Sequence, residues 1–277
     1  MARPPELTDR AALMLHRRRA ARDPAYFLHE EASLDIQERL SEVNREFKSL
    51  AIITGSPDPW RQAFPDAVIV PDEDILDLTP KSFDLVIHAL ALHWANDPVG
   101  QMVQVRHALQ PDGLFMAVFF GGQTLSELRA ALAEAEAHVS GGLSPRVAPM
   151  GEIRDLGGLL QRAGLALPVA DGFARSVTYQ STFHLMRDLR AMGETNALAK
   201  RLRRPVPRRL FAEAARIYAQ AFPATENRIR ATFEMIYLTG WAPHESQQKP
   251  LRPGSAAHRL AETLQSEELR LPRDSGT

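Results

Sequence analysis

Two histidines, a tryptophan and a pair of glycines crowd the ends of two short apolar runs between Phe83 and Gly122. The first run, Phe83-Asp84-Leu85-Val86-Ile87, reads as a buried strand and is followed by His88, His93 and Trp94. The second, Leu114 to Phe120, ends in Gly121-Gly122. Between them lie the polar turn Asn96-Asp97-Pro98, a helix with Val99, Met102, Val103 and Leu109 on one face, and the stop signal Pro111-Asp112-Gly113. Strand, helix, strand in ~40 residues is one right-handed βαβ unit of a parallel sheet. Ligands of such sheets sit beyond the carboxyl ends of the strands. An imidazole there can serve as acid, base or hydrogen-bond donor near neutral pH. His88 and His93 lack a third partner and the i, i+4 spacing of a helical metal pair, so no metal site is expected. His88 is expected to be structural, and His93 with Trp94 to face substrate. A second constellation, His244-Glu245, follows the last strand beside Trp241. It suits proton transfer or, equally, a polar knot pinning the C-terminal segment.

The elements that must position these residues follow from periodicity. Helices are expected over Arg10 to Arg22 and from Tyr26 through Val43. Strands are expected at Leu50 to Ile53 and Ala67 to Val70, with at most two helical turns, Pro59 to Phe64, between them. Beyond the βαβ unit come a helix over Thr124 to Val139, a loop to Pro149, and a helix over Glu152 to Ala163. Two strand-like segments, Leu165 to Val169 and Phe173 to Tyr179, precede helices at Thr182 to Met192 and Val206 to Ala221. Ile229 to Leu238 alternates in the manner of a half-buried strand. A last short helix is expected near Arg259 to Leu264. Two late strands around inserted helices imply an antiparallel pair closing a mostly parallel sheet, with the helices of 180–225 as a lid.

Composition excludes several classes. The 277 residues carry a net charge of −1 and no cysteine, so disulfides, thiolate metal sites and a cysteine nucleophile are absent. No run of 18 apolar residues marks a membrane span. The basic runs Arg17-Arg18-Arg19 and Lys200 to Arg209 have no interleaved aromatics, and are expected to be solvated faces rather than nucleic-acid contacts. The arginine-rich start carries Glu6, Asp9 and Asp23, unlike a transit peptide, which favours the cytoplasm.

Longer blocks carry a resemblance. Leu90 to Pro98 after the first strand of the βαβ unit, and Leu109-Gln110-Pro111-Asp112-Gly113 before the second, resemble the class I S-adenosylmethionine-dependent methyltransferase fold. More narrowly, the chain is similar to the methyltransferase-like assembly factors of respiratory complex I, and more distantly to malonyl-carrier-protein methyltransferases of biotin synthesis. The shared blocks are Leu92-His93-Trp94 with Asn96-Asp97, Phe120 to Leu125 continuing into Glu127-Leu128-Arg129, and Gly142-Leu143-Ser144-Pro145. Asp155-Leu156-Gly157 with Arg162-Ala163-Gly164, Met192-Gly193-Glu194-Thr195-Asn196, and Gly240-Trp241 with His244 to Gln247 complete them. They run from about Leu7 to Ala257, which leaves little room for a presequence and favours a bacterial form.

The resemblance implies a Rossmann-like α/β sandwich in a single domain over 1–277. Its parts would be N-terminal helices (1–46), a shortened core (47–122), later helices, strand and lid (123–225), the last strand and following motif (226–250), and a tail (251–277). It implies S-adenosylmethionine as cofactor, held by Thr54, Gly55, Asp72 and Glu73, and a protein substrate, an iron–sulfur subunit of complex I modified at an arginine. His93, His244 and Glu245 would be catalytic; Trp94, Gly121, Gly122 and Trp241 would bind substrate. The departure lies in the first loop. The family's Asp-x-Gly-x-Gly pattern is replaced by Ile53-Thr54-Gly55-Ser56-Pro57-Asp58, and Pro57 removes an amide donor. A parallel crossover needs ~10–12 residues, so one strand, one helix and the ribose-binding acid are expected to be missing. Gly55 is then a remnant of the cofactor loop or an ordinary turn. Asp72-Glu73-Asp74 either borders the adenosine or is a solvated, helix-capping run. Three functions stay open: an arginine-modifying assembly factor with an eroded cofactor loop, an active methyltransferase on a small molecule or carrier protein, and a non-catalytic binding module.

Overall fold

Strand residues Leu85 and Ile87 point to one face of a sheet and Val86 to the other, and all three are buried. Such two-faced burial marks a sheet covered by helices on both sides. The computed structural model describes residues 6–248 and divides the chain into two units, Met1–Pro243 and His244–Thr277. The helix expected near Arg259 to Leu264, and the rest of the tail from Lys249, lie outside the described residues.

The first unit holds helices α1 (Arg10–Ala20), α2 (Phe27–Glu42), α3 (Pro57–Ala63), α4 (Pro98–Ala108), α5 (Ser126–Ser140), α6 (Ile153–Arg162), α7 (Thr182–Ala191) and α8 (Arg208–Ala221). Its strands are β1 (Leu50–Thr54), β2 (Val68–Val70), β3 (Phe83–Ala89), β4 (Leu109–Phe120), β5 (Ala166–Tyr179) and β6 (Ile229–Trp241). They form one sheet of order β2-β1-β3-β4-β6-β5. The first four are parallel, and β6 is antiparallel to both β4 and β5, so the late pair closes the sheet as the sequence implies. One face packs on α2, α5 and α8, around Leu28, Ile36, Leu128, Leu132, Leu210 and Tyr218. The other packs on α4 and α6, around Met102, Val105 and Leu160.

Three details differ from the sequence reading. The connection through α3 suffices for a parallel crossover, so β2 pairs directly with β1, Ile52 opposite Ile69, and forms the sheet edge. The two segments expected at 165–179 are one edge strand with an irregularity between Ala166 and Val169; Pro168 is tolerated there because an edge strand can leave an amide out of the ladder. The Pro111-Asp112-Gly113 signal does not separate α4 from β4 but lies in an irregular stretch of β4, where the register against β3 shifts. The Asn96-Asp97-Pro98 turn does start α4: the Asp97 carboxylate accepts from the Gly100 amide at 2.7 Å and Pro98 opens the first turn.

Candidate functional site

At the carboxyl ends of β3 and β4, a 310 turn at Leu92–Trp94 buries both His93 and Trp94. Their ring nitrogens converge on one atom. Trp94 Nε1 donates to Glu194 Oε2 at 2.7 Å, and His93 Nε2 lies 3.2 Å from the same oxygen. The His93 ring packs against Phe120 with centroids 4.9 Å apart, which fixes its plane. Glu194 sits where α7 ends. There the Gly193 amide bonds to Arg190 O and the Glu194 amide to Leu189 O, with Gly193 at φ +78°. This Schellman cap turns the chain sharply, and glycine accepts its left-handed backbone without strain. Burial alone would push the Glu194 carboxyl up. The His93 imidazole, the Arg17 guanidinium and the Trp94 donor outweigh it and hold the group below its ordinary value.

Glu194 and Trp94 wall a cavity of about 330 Å³. Its floor is apolar: Phe120, Leu125 and Leu128 from the sheet and α5, Met186 and Leu189 from α7, and Phe211 from α8. The expected lid helices therefore supply one side of it. His16 of α1 also reaches the wall; its Nδ1 is buried without a partner, and burial pushes its imidazole below the ordinary value. Volume and lining suit a small ligand or a single extended side chain.

No other sequence-predicted residue of the first unit lines this cavity. His88 is fully buried on β3, with Nε2 2.8 Å from Gln101 Oε1, and burial lowers it to about 4. It is a neutral core histidine, as expected. Gly121 and Gly122 lie close against side chains of the chain itself. A Cβ on Gly121 would strike Ile236 and Glu234, and one on Gly122 would meet Glu152, so these glycines let the chain pass its own side chains. Trp241 ends β6 opposite Leu114, six residues before the carboxyl end of β4. That is roughly 20 Å from Phe120 at strand rise, so Trp241 is at the wrong end of the sheet for the substrate role expected of it. His244 and Glu245 fall in the second unit, where both are exposed; His244 Nδ1 lies 2.7 Å from Ser246 Oγ, two residues along.

On the cofactor side, Thr54 ends β1 and accepts from the Ser56 amide at 3.2 Å, an ordinary turn contact. Glu73 is exposed, and its carbonyl accepts from Gln101 Nε2 at 2.9 Å. Asp72 is buried and already paired: Arg17 Nη1 lies 2.6 Å from one carboxylate oxygen and Arg10 Nη1 3.3 Å from the other. Although burial raises its pKa, these two cations hold the Asp72 carboxyl below its ordinary value. The space beside Gly55 is taken by the Arg17 side chain, which a Cβ there would strike. What is left is a hollow of about 120 Å³ lined by Tyr26, Gly55, Asp58 and Met192. Ligand pockets begin near 300 Å³. The Arg17 side chain and the paired Asp72 carboxylate occupy the positions expected to hold the cofactor.

Sequence reasoning missed Glu194, His16 and Arg17. Glu194 was visible only within the Met192 to Asn196 block. Arg17 belongs to a run that the sequence marks as a solvated face, yet its side chain is only 12 % exposed.

Comparison with known proteins gives the wider setting. Residues 25–117 match the family model of a methyltransferase domain. The chain is 43 % identical over 192 residues to the mitochondrial arginine-hydroxylase NDUFAF5 of Dictyostelium discoideum, covering 69 % of this chain and 44 % of that protein. It is 35 % identical over 179 residues to a malonyl-[acyl-carrier protein] O-methyltransferase of Xylella fastidiosa, covering 65 % and 58 %. A solved S-adenosylmethionine-dependent methyltransferase of Thermotoga maritima aligns with a TM-score of 0.44 at 11 % identity, over 83 % of this chain and 99 % of that one. The chain thus carries a match to a methyltransferase domain over residues 25–117 and, over 192 residues, is a homologue of the NDUFAF5 arginine-hydroxylases at about 40 % identity. Alignments to the two curated relatives above span about half the length of each. Among the described residues no helix is long and apolar enough to cross a membrane.

Proposed function

We propose that this chain is a complex I assembly factor of the arginine-hydroxylase type, which takes an arginine-bearing segment of an iron–sulfur subunit into the Glu194 cavity and whose cofactor half has eroded. The observation that carries the reading is a buried carboxylate on the wall of a mostly apolar cavity, fixed by Trp94 and His93. A carboxylate held ionised in an apolar setting is a partner for a guanidinium, and the surrounding aromatic faces favour the same cation. Arginine's aliphatic stem matches the apolar floor. Glu194 would hold the cation, His93 and Trp94 would hold Glu194, and the lid helices would exclude water. Hydroxylation converts an arginine C–H bond to C–OH; with dioxygen as the external oxidant, one oxygen atom would enter that bond and the other would leave as water, on two electrons and two protons from an external reductant. In relatives the name arginine-hydroxylase supports this reaction class. The filled space beside Gly55 weighs against an active methyltransferase on a small molecule or carrier protein. The chain would work in the cytoplasm.

Deleting the gene from its host and weighing the subunit's peptides by mass spectrometry tests the proposal. One arginine is expected to lose the mass of one oxygen atom. Unchanged mass with impaired complex I assembly would select the non-catalytic binding module instead. Unchanged mass with normal assembly would contradict both.

A further inference from the structure

Arg17 leaves α1 and threads between two glycines. At Gly193 a Cβ would lie 3.0 Å from Arg17 Cγ, and at Gly55 a Cβ would strike the guanidinium itself. Beyond Gly55 the guanidinium reaches Asp72, 2.6 Å away, the acid that follows the β2 edge strand. Arg10, two turns earlier on the same helix, bonds the same carboxylate at 3.3 Å and also the Asp72 carbonyl. Side chains absent at exactly the two points where one arginine passes define a channel for that arginine.

We propose that Arg17 is a built-in occupant of the ancestral cofactor cradle, a strut that replaces the ligand and positions the Glu194 loop. It ties the ends of β1 and β2 to α1 and presses on Gly193, the residue next to Glu194. The fold's cofactor would have to displace a guanidinium with only 12 % of its side chain exposed, and leave the Asp72 carboxylate without that partner. This rests on the reading that the cofactor half has eroded, and extends it by naming what took the space.

The test combines titration of the purified full chain with S-adenosylhomocysteine and thermal melting of Arg17→Met and Arg17→Lys. The wild type is expected to show no saturable heat up to about 1 mM ligand. Arg17→Met is expected to melt at least roughly 2–4 °C lower, because it removes one of the two guanidinium partners of the buried Asp72 carboxylate and leaves Arg10 in place. Arg17→Lys keeps the charge without the planar fork and is expected to fall between. Saturable binding by the wild type would overturn both the strut and the eroded-cofactor reading. No binding, with Arg17→Met melting as the wild type does, would overturn the strut alone. If Arg17→Met gives no folded protein, Arg17→Lys decides: a clear drop supports the strut, and an unchanged melting point overturns it.

Discussion

At the residue scale, the site depends on one carboxylate doing several jobs. Glu194 accepts from Trp94 and faces His93, while Arg17 lies close enough to stabilise its charge. Glu194→Ala would strand a buried indole N–H and a buried imidazole nitrogen. The expected cost is roughly 1–3 kcal/mol in urea unfolding, with Glu194→Gln smaller because an amide oxygen still accepts. His93 and Trp94 were legible in the sequence because they follow a buried strand in a βαβ unit. Glu194 was not, since it lies about a hundred residues away on a loop and meets them only through the fold. Arg17 was hidden for another reason. In a run of three arginines nothing local separates the inward one, yet Arg10, Leu13, Arg17 and Ala20 follow the three-to-four spacing of a single helix face. Leu13 and Ala20 are buried on that face, and Arg17 goes inward with them.

At the element scale, direction mattered more than identity. The antiparallel late pair was expected, but its consequence was not drawn: a strand running backwards delivers its carboxyl end to the far side of the sheet. Trp241 therefore ends beside Leu114 instead of Phe120. The opposite end of β6 is the one near the cavity, where Phe233 lines the wall. The cap of α7 is a second element-level device. Gly193→Ala would place a side chain at φ +78° and 3.0 Å from Arg17 Cγ. The left-handed backbone alone costs about 1–2 kcal/mol, so a fall of at least that size is expected in denaturant unfolding. Gly141→Ala is a useful control, because Gly141 has φ +67° but open space around it, and its loss should be the smaller.

Across the whole molecule, buried histidines contribute to the response to acid. His88 bonds Gln101, and His29 Nδ1 accepts from Trp60 Nε1 at 2.9 Å; burial lowers each to about 4. Their folded pKa lies below the unfolded value near 6.5, so the unfolded chain takes up protons first as pH falls. Stability is expected to be full above pH 6.5 and to decline between 6.5 and 4, by no more than roughly 3 kcal/mol per histidine. Urea titrations at stepped pH would show this, and His88→Gln should shrink the slope. The sheet, its order of elements and its closing pair were readable from periodicity, because two-faced burial writes long apolar runs. The filled cradle was not, because it is a contact between α1 and loops far along the chain. In the proposed function, Glu194 seats the substrate arginine. The direct measurement is mass spectrometry of the iron–sulfur subunit in a deletion strain carrying either the wild-type chain or Glu194→Gln at matched protein levels. The oxygen is expected on the arginine with the wild type and missing with Glu194→Gln; equal modification by both would contradict it.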